Sequence, residues 1–174
     1  MTVSFDGKVV LVTGGTRGLG RAFSECAANA GATVILNSTT DEDGGTTQAI
    51  SDAGGKAIHM SGLVEEPDAL IEKIVIECGR IDAVIHNAGF VRDKTLRKMS
   101  DQQWDEVMGV HLTASFRLSR AVWPHFEEQG GGRIVLISSA SGLYGNFGQA
   151  NYAAAKIGMY GLARSIAWEG DRTN

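Results

Sequence analysis

The chain has 174 residues, of which 43% are apolar and 21% charged, a composition typical of a globular domain rather than of a disordered or fibrous protein. Its 16 basic and 20 acidic residues give a formal net charge of -4 without a basic run, which argues against nucleic acid or membrane lipid as the main partner. No apolar stretch approaches the roughly 20 residues that cross a bilayer, and the first residues lack the regions of a signal peptide. We therefore expect a cytoplasmic protein, with a peroxisome-like organelle as the alternative.

The two cysteines, Cys26 and Cys78, lie far apart in segments of helical period and lack a Cys-x-x-Cys spacing. Neither a disulfide framework nor a zinc site is expected, and no other metal site is predicted. Because free cysteine is among the most buried residue types, we expect both to be buried, reduced thiols.

Short apolar runs alternate with longer segments of helical period, which is typical of a parallel sheet covered on both faces. The predicted strands are 8–13, 33–37, 57–60, 83–86 and 133–138. The predicted helices are 19–30, 46–53, 67–78, 101–129 and 149–169. Right-handed crossovers between them give a doubly wound α/β sheet of the Rossmann type, in a single domain spanning residues 1–174.

The turn after the first predicted strand, residues 13–20, has the sequence TGGTRGLG and leads directly into a helix. Backbone N–H groups at a helix N-terminus bind a diphosphate if no side chain holds the phosphates away, and the glycines leave that approach open. A turn that only packs the helix on the sheet is the alternative. The order of strand, turn and helix favours dinucleotide binding, by Gly14, Thr16, Arg17, Gly18, Leu19 and Gly20.

Ser38 follows the second predicted strand, where a dinucleotide fold contacts the adenosine ribose. An acidic side chain there would accept a hydrogen bond from the 2′-hydroxyl and repel a 2′-phosphate. Ser38 cannot repel a phosphate and Arg17 can pair with one, so NADP(H) is favoured over NAD(H). The alternative is that Arg17 is only solvated, and that a carboxylate of residues 41–43 binds the ribose of NAD(H).

Tyr152 and Lys156 lie four residues apart at the start of the last predicted helix, which places both on one helix face. A phenol with a pKa near ~10 needs a neighbouring cation to act as a base around neutrality. Oxidation of an alcohol requires such a base, because the proton leaves as the hydride leaves. The same spacing also occurs where an aromatic ring and a lysine only pack together, but its combination with a dinucleotide turn favours catalysis.

Three motifs together resemble the short-chain dehydrogenase/reductase family over essentially the whole chain: the G-x-x-x-G-x-G spacing of the first turn, HNAG at residues 86–89, and the Tyr-x-x-x-Lys pair. His86 replaces the first Asn of the family's Asn-Asn-Ala-Gly. The resemblance implies a catalytic Ser139, thirteen residues before Tyr152. It also implies coenzyme contacts from Asn87, Ala88, Gly89, Tyr152 and Lys156.

His111 stands where the family commonly has an Asn that anchors a water beside the lysine. A histidine could hold that water through one ring nitrogen and titrates near neutrality; a buried, hydrogen-bonded structural histidine is the alternative. VHL at residues 110–112 and LYGNFGQANY at 143–152 resemble the dehydrogenase unit of peroxisomal multifunctional β-oxidation enzymes, which implies a catalytic His111. Ser38 and Leu63 stand at two positions where that branch has acidic residues.

The resemblance implies an oxidoreductase that moves hydride between NAD(P) and a secondary alcohol or ketone, a 3-hydroxyacyl or 3-oxoacyl thioester. The alternatives are a truncated dinucleotide-binding module without catalysis and a 3-oxoacyl-carrier-protein reductase. Family members continue with two further strands and a substrate loop, so the fifth strand is expected to be an uncovered edge. A homodimer through the helices at 101–129 and 149–169 is also implied.

Overall fold

The computed structural model describes residues 3–170, with five strands that alternate with helices. The strands are β1 Val9–Thr13, β2 Thr33–Ser38, β3 Lys56–Ser61, β4 Ala83–His86 and β5 Arg133–Leu136. The helices are α1 Gly18–Asn29, α2 Thr46–Asp52, α3 Asp68–Cys78, α4 Asp101–Met108, α5 Ala114–Glu128, α6 Ala140–Tyr144 and α7 Ala150–Gly170. A 3-10 turn covers Leu96–Lys98, and a π-helical turn, Gly109–Thr113, joins α4 to α5.

The sheet has the order β3-β2-β1-β4-β5, and all neighbouring strands are parallel. This order confirms the predicted Rossmann-type sheet. The chain runs outward from β1 to β3 and then crosses back to β4, so the direction of winding reverses between β1 and β4. Ligands of such sheets bind beyond the carboxyl ends of the strands at this switch point. Among the described residues β5 pairs only with β4, as expected for an edge.

Alternate residues of the central strands face opposite layers, as the strand period requires. Leu11 and Ile35 pack with α3 and α5 on one side of the sheet, and Val12 and Val34 pack with α1 and α2 on the other. All five residues of β1 are buried. The glycine-rich turn therefore begins from a strand that is held on both faces.

The predicted helix 101–129 is helical nearly throughout, but the π-helical turn interrupts its regular hydrogen bonding. The expectation of a buried Cys26 is wrong, since its side chain lies exposed. The buried face of α1 is formed by Gly20, Ser24, Ala27 and Ala28, and helical geometry turns Cys26 away from that face. Cys78 is partly buried.

Within residues 3–170, no helix combines the length and the apolar character needed to cross a membrane. Nor does this part of the chain bring three or more His, Cys, Asp or Glu side chains together in a cluster that could hold a metal.

Candidate active site

The glycine-rich turn connects β1 to α1 at the switch point of the sheet. Gly14 and Gly18 have φ angles of +63° and +53°, in the left-handed region that glycine adopts without strain. A Cβ on Gly20 would collide with the Gly14 carbonyl oxygen and lie 2.6 Å from Asn87 Nδ2. Only glycine lets the first turn of α1 approach so closely. Gly20 thus holds the start of α1 against the turn, while no atom lies within 4 Å of a Cβ built on Gly18.

Thr13 joins the ends of β1 and β4. Its Oγ1 accepts hydrogen bonds from the backbone N–H groups of Asn87 at 3.1 Å and Ala88 at 3.0 Å. Asn87 Nδ2 in turn donates to the carbonyl oxygens of Thr13 at 3.2 Å and Gly14 at 3.3 Å. Asn87 therefore ties the strand ends together and holds residues 87–89 beside the turn.

Tyr152 and Lys156 share one face of α7. The Lys156 ammonium lies 5.5 Å from the centre of the Tyr152 ring and donates to the Ile137 carbonyl at 2.6 Å. Burial lowers the pKa of Lys156 to about 8. The side chain is thus still mostly protonated at neutral pH, and its charge acts on the phenol in surroundings that screen it poorly.

Ser139 lies at the start of α6, where its Oγ accepts from the Ser141 N–H at 3.2 Å. This arrangement leaves its hydroxyl hydrogen available for donation to a substrate oxygen. The adjacent Ser138 instead donates through Oγ to the Lys156 carbonyl at 2.8 Å. Ser138 therefore attaches α7 to the segment after β5, and Ser139 is the serine suited to bind a ligand.

His111 lies in the π-helical turn and is 3% exposed. Its Nε2 is 2.9 Å from the Phe90 carbonyl, which can only accept, so Nε2 carries the hydrogen. The rings of His111 and Tyr152 meet edge to face, with centroids 5.2 Å apart. Burial, followed by the charge of Lys156, lowers the pKa of His111 to about 4.

The remaining nitrogen of His111, Nδ1, is buried without a hydrogen-bond partner among residues 3–170. Buried polar atoms in folded proteins nearly always have partners, so an orphaned acceptor calls for a donor. Gly89 lies against the same ring, since a Cβ at that position would collide with it. His111 Nδ1 lies near residues 87–89 and Tyr152. It is suited to accept a hydrogen bond from a water or from a hydroxyl of a bound ligand.

Asn151 is a positioning side chain that the sequence analysis missed. It is fully buried, and its Nδ2 donates to the carbonyls of Arg92 at 3.2 Å and Gln103 at 2.9 Å. Its Oδ1 accepts from the Tyr152 N–H at 2.8 Å. A buried amide must satisfy several hydrogen bonds at once, so an Asn directly before the candidate tyrosine was the signal available in the sequence.

His59 of β3 is a second residue near the predicted site that the sequence analysis did not single out. The Ser38 hydroxyl donates to the Thr40 carbonyl at 2.8 Å and lies 2.8 Å from His59 Nε2. With its hydrogen committed, Ser38 Oγ accepts from the imidazole. Arg17, which is predicted to contact the adenosine end of a dinucleotide, is exposed in the glycine-rich turn. The imidazole is therefore a further polar group beside the predicted ribose-contacting residue.

A parallel sheet with a glycine-rich turn at its switch point, together with a buried lysine beside a tyrosine, is typical of nucleotide-binding oxidoreductase domains of the Rossmann type. The family model described as short chain dehydrogenase matches residues 8–174. The chain belongs to this family.

Several curated proteins are similar to the chain. The peroxisomal hydratase-dehydrogenase-epimerase of Neurospora crassa is 44% identical over 172 residues, which is 99% of this chain and 19% of that protein. The peroxisomal multifunctional enzyme type 2 of Mus musculus is 45% identical over 180 residues, or 98% of this chain and 24% of the enzyme. The 3-oxoacyl-(acyl-carrier-protein) reductase of Escherichia coli K12 is 43% identical, covering 96% of this chain and 69% of the reductase.

Among solved structures, full-length peroxisomal multifunctional enzyme type 2 from Drosophila melanogaster superposes with a TM-score of 0.86 at 40% identity. The match covers 98% of this chain and 30% of that one. The chain thus spans about a quarter of the length of the multifunctional relatives and about two thirds of the reductase.

Proposed function

We propose that the chain transfers hydride between NAD(P) and the secondary alcohol or ketone of a 3-hydroxyacyl or 3-oxoacyl thioester. The observation that carries the proposal is the cluster of Tyr152, Lys156 and His111, which lies against Gly89, close to the Asn87 side chain that is bonded to the glycine-rich turn. The printed names of the relatives, a hydratase-dehydrogenase-epimerase and a 3-oxoacyl-carrier-protein reductase, support an acyl thioester as substrate.

The residues present fit a dinucleotide, because Gly18 at the N-terminus of α1 has no atom within 4 Å of the place a Cβ would take, and Gly20 lets α1 pack closely against the turn. When bound, a nicotinamide coenzyme accepts or supplies the hydride. We assign its diphosphate to the N-terminus of α1, where backbone N–H groups favour an anion. Residues 1–174 would then form one coenzyme-binding domain. The residues that would hold the coenzyme are Gly14, Thr16, Arg17, Gly18, Leu19, Gly20, Ser38, Asn87, Ala88, Gly89, Tyr152 and Lys156.

In oxidation, the Tyr152 oxygen takes the proton of the substrate hydroxyl; in reduction, it returns a proton to the substrate carbonyl oxygen. The Lys156 ammonium favours the phenolate through its positive charge. Ser139 donates its hydroxyl hydrogen to the same substrate oxygen and so orients it. His111 Nδ1 accepts from a water that exchanges protons with the site. Each role uses an atom that the protein itself leaves available.

We infer a preference for NADP(H) over NAD(H) from the groups near Ser38. Two of the three carboxylates of residues 41–43 that could bind a ribose instead are engaged elsewhere: Asp41 accepts from Ser61 Oγ at 2.6 Å. Both oxygens of Asp43 accept backbone N–H groups at the start of α2, each at 2.8 Å. Arg17 is exposed and available for a 2′-phosphate.

We propose that the chain forms a homodimer through the helices at residues 101–129 and 149–169. These helices leave aromatic side chains exposed, with Phe116 47%, Tyr160 51% and Trp168 68% accessible, and such surface favours a protein partner. Light scattering after size exclusion would give twice the chain mass of 18.4 kDa for a dimer.

We expect the protein in the cytoplasm or in a peroxisome-like organelle, the compartment in the names of two relatives.

Turnover of the 174-residue chain tests the proposed reaction. We expect oxidation of NADPH that depends on a 3-oxoacyl-CoA and is lost in Tyr152→Phe. Coenzyme binding in calorimetry without thioester-dependent turnover would contradict the proposal and support a binding module. The ratio of kcat/KM for CoA and carrier-protein thioesters then distinguishes the β-oxidation type of substrate from that of fatty-acid synthesis.

The coenzyme preference has a separate test. Arg17→Ala is expected to lower kcat/KM for NADPH by roughly tenfold or more, which corresponds to about 1.4 kcal/mol for a charge-assisted contact. NADH should be used as before. Arg21→Ala, which removes a surface arginine paired with Glu25 on α1, is the matched control. An equal loss for both coenzymes would rule out the 2′-phosphate contact.

A further inference from the structure

His86 is the last residue of β4 and lies between the coenzyme-binding turn and the π-helical turn. It is 1% exposed and is paired in the sheet with Thr13 of β1. Its Nδ1 lies 2.9 Å from Thr13 Oγ1, and its Nε2 lies 3.1 Å from the Val110 carbonyl oxygen. One imidazole thus connects two segments that are distant in sequence.

The surroundings of His86 fix the positions of its hydrogens. The Val110 carbonyl only accepts, so Nε2 carries the hydrogen. Thr13 Oγ1 already accepts from the N–H groups of Asn87 and Ala88, which uses both of its lone pairs, and so its hydroxyl hydrogen is donated to Nδ1. Burial is the main cause that lowers the pKa of His86 to about 4, and the ring is therefore neutral at neutral pH.

The π-helical turn makes the Val110 carbonyl available to His86. Backbone N–H groups at the end of the π-helical turn bond to the carbonyls of Gly109 and His111, while the carbonyl of Val110 accepts from His86. A buried carbonyl deprived of its donor would cost on the order of 1–3 kcal/mol. The imidazole therefore stabilises this form of the turn, a form that is frequent at functional sites.

We propose that His86 is a positioning residue that holds the π-helical turn so that the His111 ring lies against Tyr152. His111 follows Val110 directly in the chain. Within residues 3–170 its own ring is bonded at one nitrogen, by the Phe90 carbonyl at 2.9 Å. The direction of the ring consequently depends on the backbone of the turn, which His86 holds. The inference rests on the proposed roles of Tyr152 and His111 in proton transfer.

An asparagine, which the wider family has at this position, would not make the same connection. The two nitrogens of imidazole are separated across a rigid ring, so His86 meets Thr13 and Val110 at the same time. A carboxamide carries its donor and acceptor together at the end of a shorter side chain. It would reach one of the two partners and leave the other without a bond.

Long-range proton–nitrogen NMR of the nitrogen-labelled chain tests the arrangement without any need for activity. We expect His86 and His111 as neutral Nε2–H tautomers at neutral pH. In His86→Leu the His111 ring signals should shift, and in the matched control His125→Gln they should not. A hydrogen on His86 Nδ1, or unchanged His111 signals in a folded His86→Leu variant, would overturn the proposal.

Kinetics separate positioning from a purely structural role. His86→Leu should lower kcat by about 10- to 100-fold, because small displacements of a catalytic group are costly. Coenzyme affinity should change by less than about threefold, because Thr13 keeps its bonds to Asn87 and Ala88. His86→Gln, which retains a donor and an acceptor, should recover part of kcat.

A loss of thermal stability with kcat intact would overturn the proposal. If His86→Leu does not fold, His86→Asn, which keeps at most one of the two bonds, is measured in its place. If the wild-type chain shows no turnover, the proposed function fails while the NMR result still decides whether His86 positions His111.

Discussion

The Lys156 ammonium lies beside the Tyr152 ring, 5.5 Å from its centre, and is held there by the Ile137 carbonyl at 2.6 Å. Ile137 follows β5, and Ser138 Oγ bonds to the Lys156 carbonyl at 2.8 Å. Both ends of the lysine are therefore attached to the segment that leads to Ser139. The segment after β5 thus positions the charge and presents the serine.

Tyr152→Phe removes the oxygen that would exchange a proton with the substrate and keeps the ring that packs against His111. General acid-base groups contribute about 10²- to 10⁴-fold to rate, so kcat should fall at least about a hundredfold while coenzyme affinity is retained. Stopped-flow turnover and calorimetric titration of NADPH measure the two effects.

Tyr160→Phe is the matched control for that experiment. Tyr160 lies on the same helix two turns later, 51% exposed, and its hydroxyl accepts from Arg164 at 3.2 Å. Its loss should leave kcat unchanged. If both variants lost activity equally, the effect would be on α7 as a whole and not on a proton-transfer group.

Gly20→Ala should abolish coenzyme binding, because the new methyl group would collide with the Gly14 carbonyl and press on Asn87 Nδ2. The turn must move, and the N-terminus of α1 no longer faces a diphosphate in the same geometry. Gly161→Ala is the control on α7: no atom lies within 4 Å of the added Cβ, and alanine should raise stability by up to about 1 kcal/mol. Retained NADPH affinity in Gly20→Ala would contradict the assignment of the turn.

The strands were predictable because buried parallel strands are short runs rich in apolar residues. The predicted 83–86 strand is identical to β4, and the predicted 133–138 strand extends two residues beyond β5. Ser138 lies outside β5, and its side chain bonds to the Lys156 carbonyl of α7. The local sequence pattern does not record such contacts between distant segments.

The site was predictable where its residues have short spacings and was not where they meet across the fold. Tyr152 and Lys156 lie one helical turn apart, and so their proximity followed from the sequence. The π-helical turn did not, because inserting one residue leaves the apolar pattern of the long helix almost unchanged. The bond from His86 to Val110 joins residues 24 apart, and only the folded chain brings them together.

Gly89→Ala tests the packing of His111, since a Cβ at Gly89 would collide with the imidazole. Overpacking of this kind costs about 1–3 kcal/mol, and displacement of the ring should also lower kcat. The double variant Gly89→Ala/His111→Asn carries a smaller side chain and should recover part of the stability. Additive losses of unfolding free energy in the double-mutant cycle would show that the two positions do not interact.

The buried histidines predict how stability depends on pH. His86 has a pKa of about 4 in the fold, below the value of about 6.5 expected in the unfolded chain. Between these values the unfolded state binds more protons, so the unfolding free energy falls as the pH is lowered from about 6.5 to about 4. A shift of this size corresponds to roughly 3 kcal/mol for His86, and His111, also with a pKa of about 4, acts in the same direction.

Asp82 adds a second pH dependence to the unfolding free energy, in a more acidic range than that of the histidines. Burial alone would raise the pKa of Asp82, but hydrogen bonds from Arg80, the Val9 N–H and Lys8 lower it to about 2. Its contribution is therefore present above about pH 4 and is lost as the pH falls towards 2. Urea unfolding of the wild type and of His86→Gln over this range measures both effects. The variant should lose part of the slope between pH 6.5 and 4 and keep the slope below pH 4; an unchanged slope in the upper window would show that His86 does not cause it.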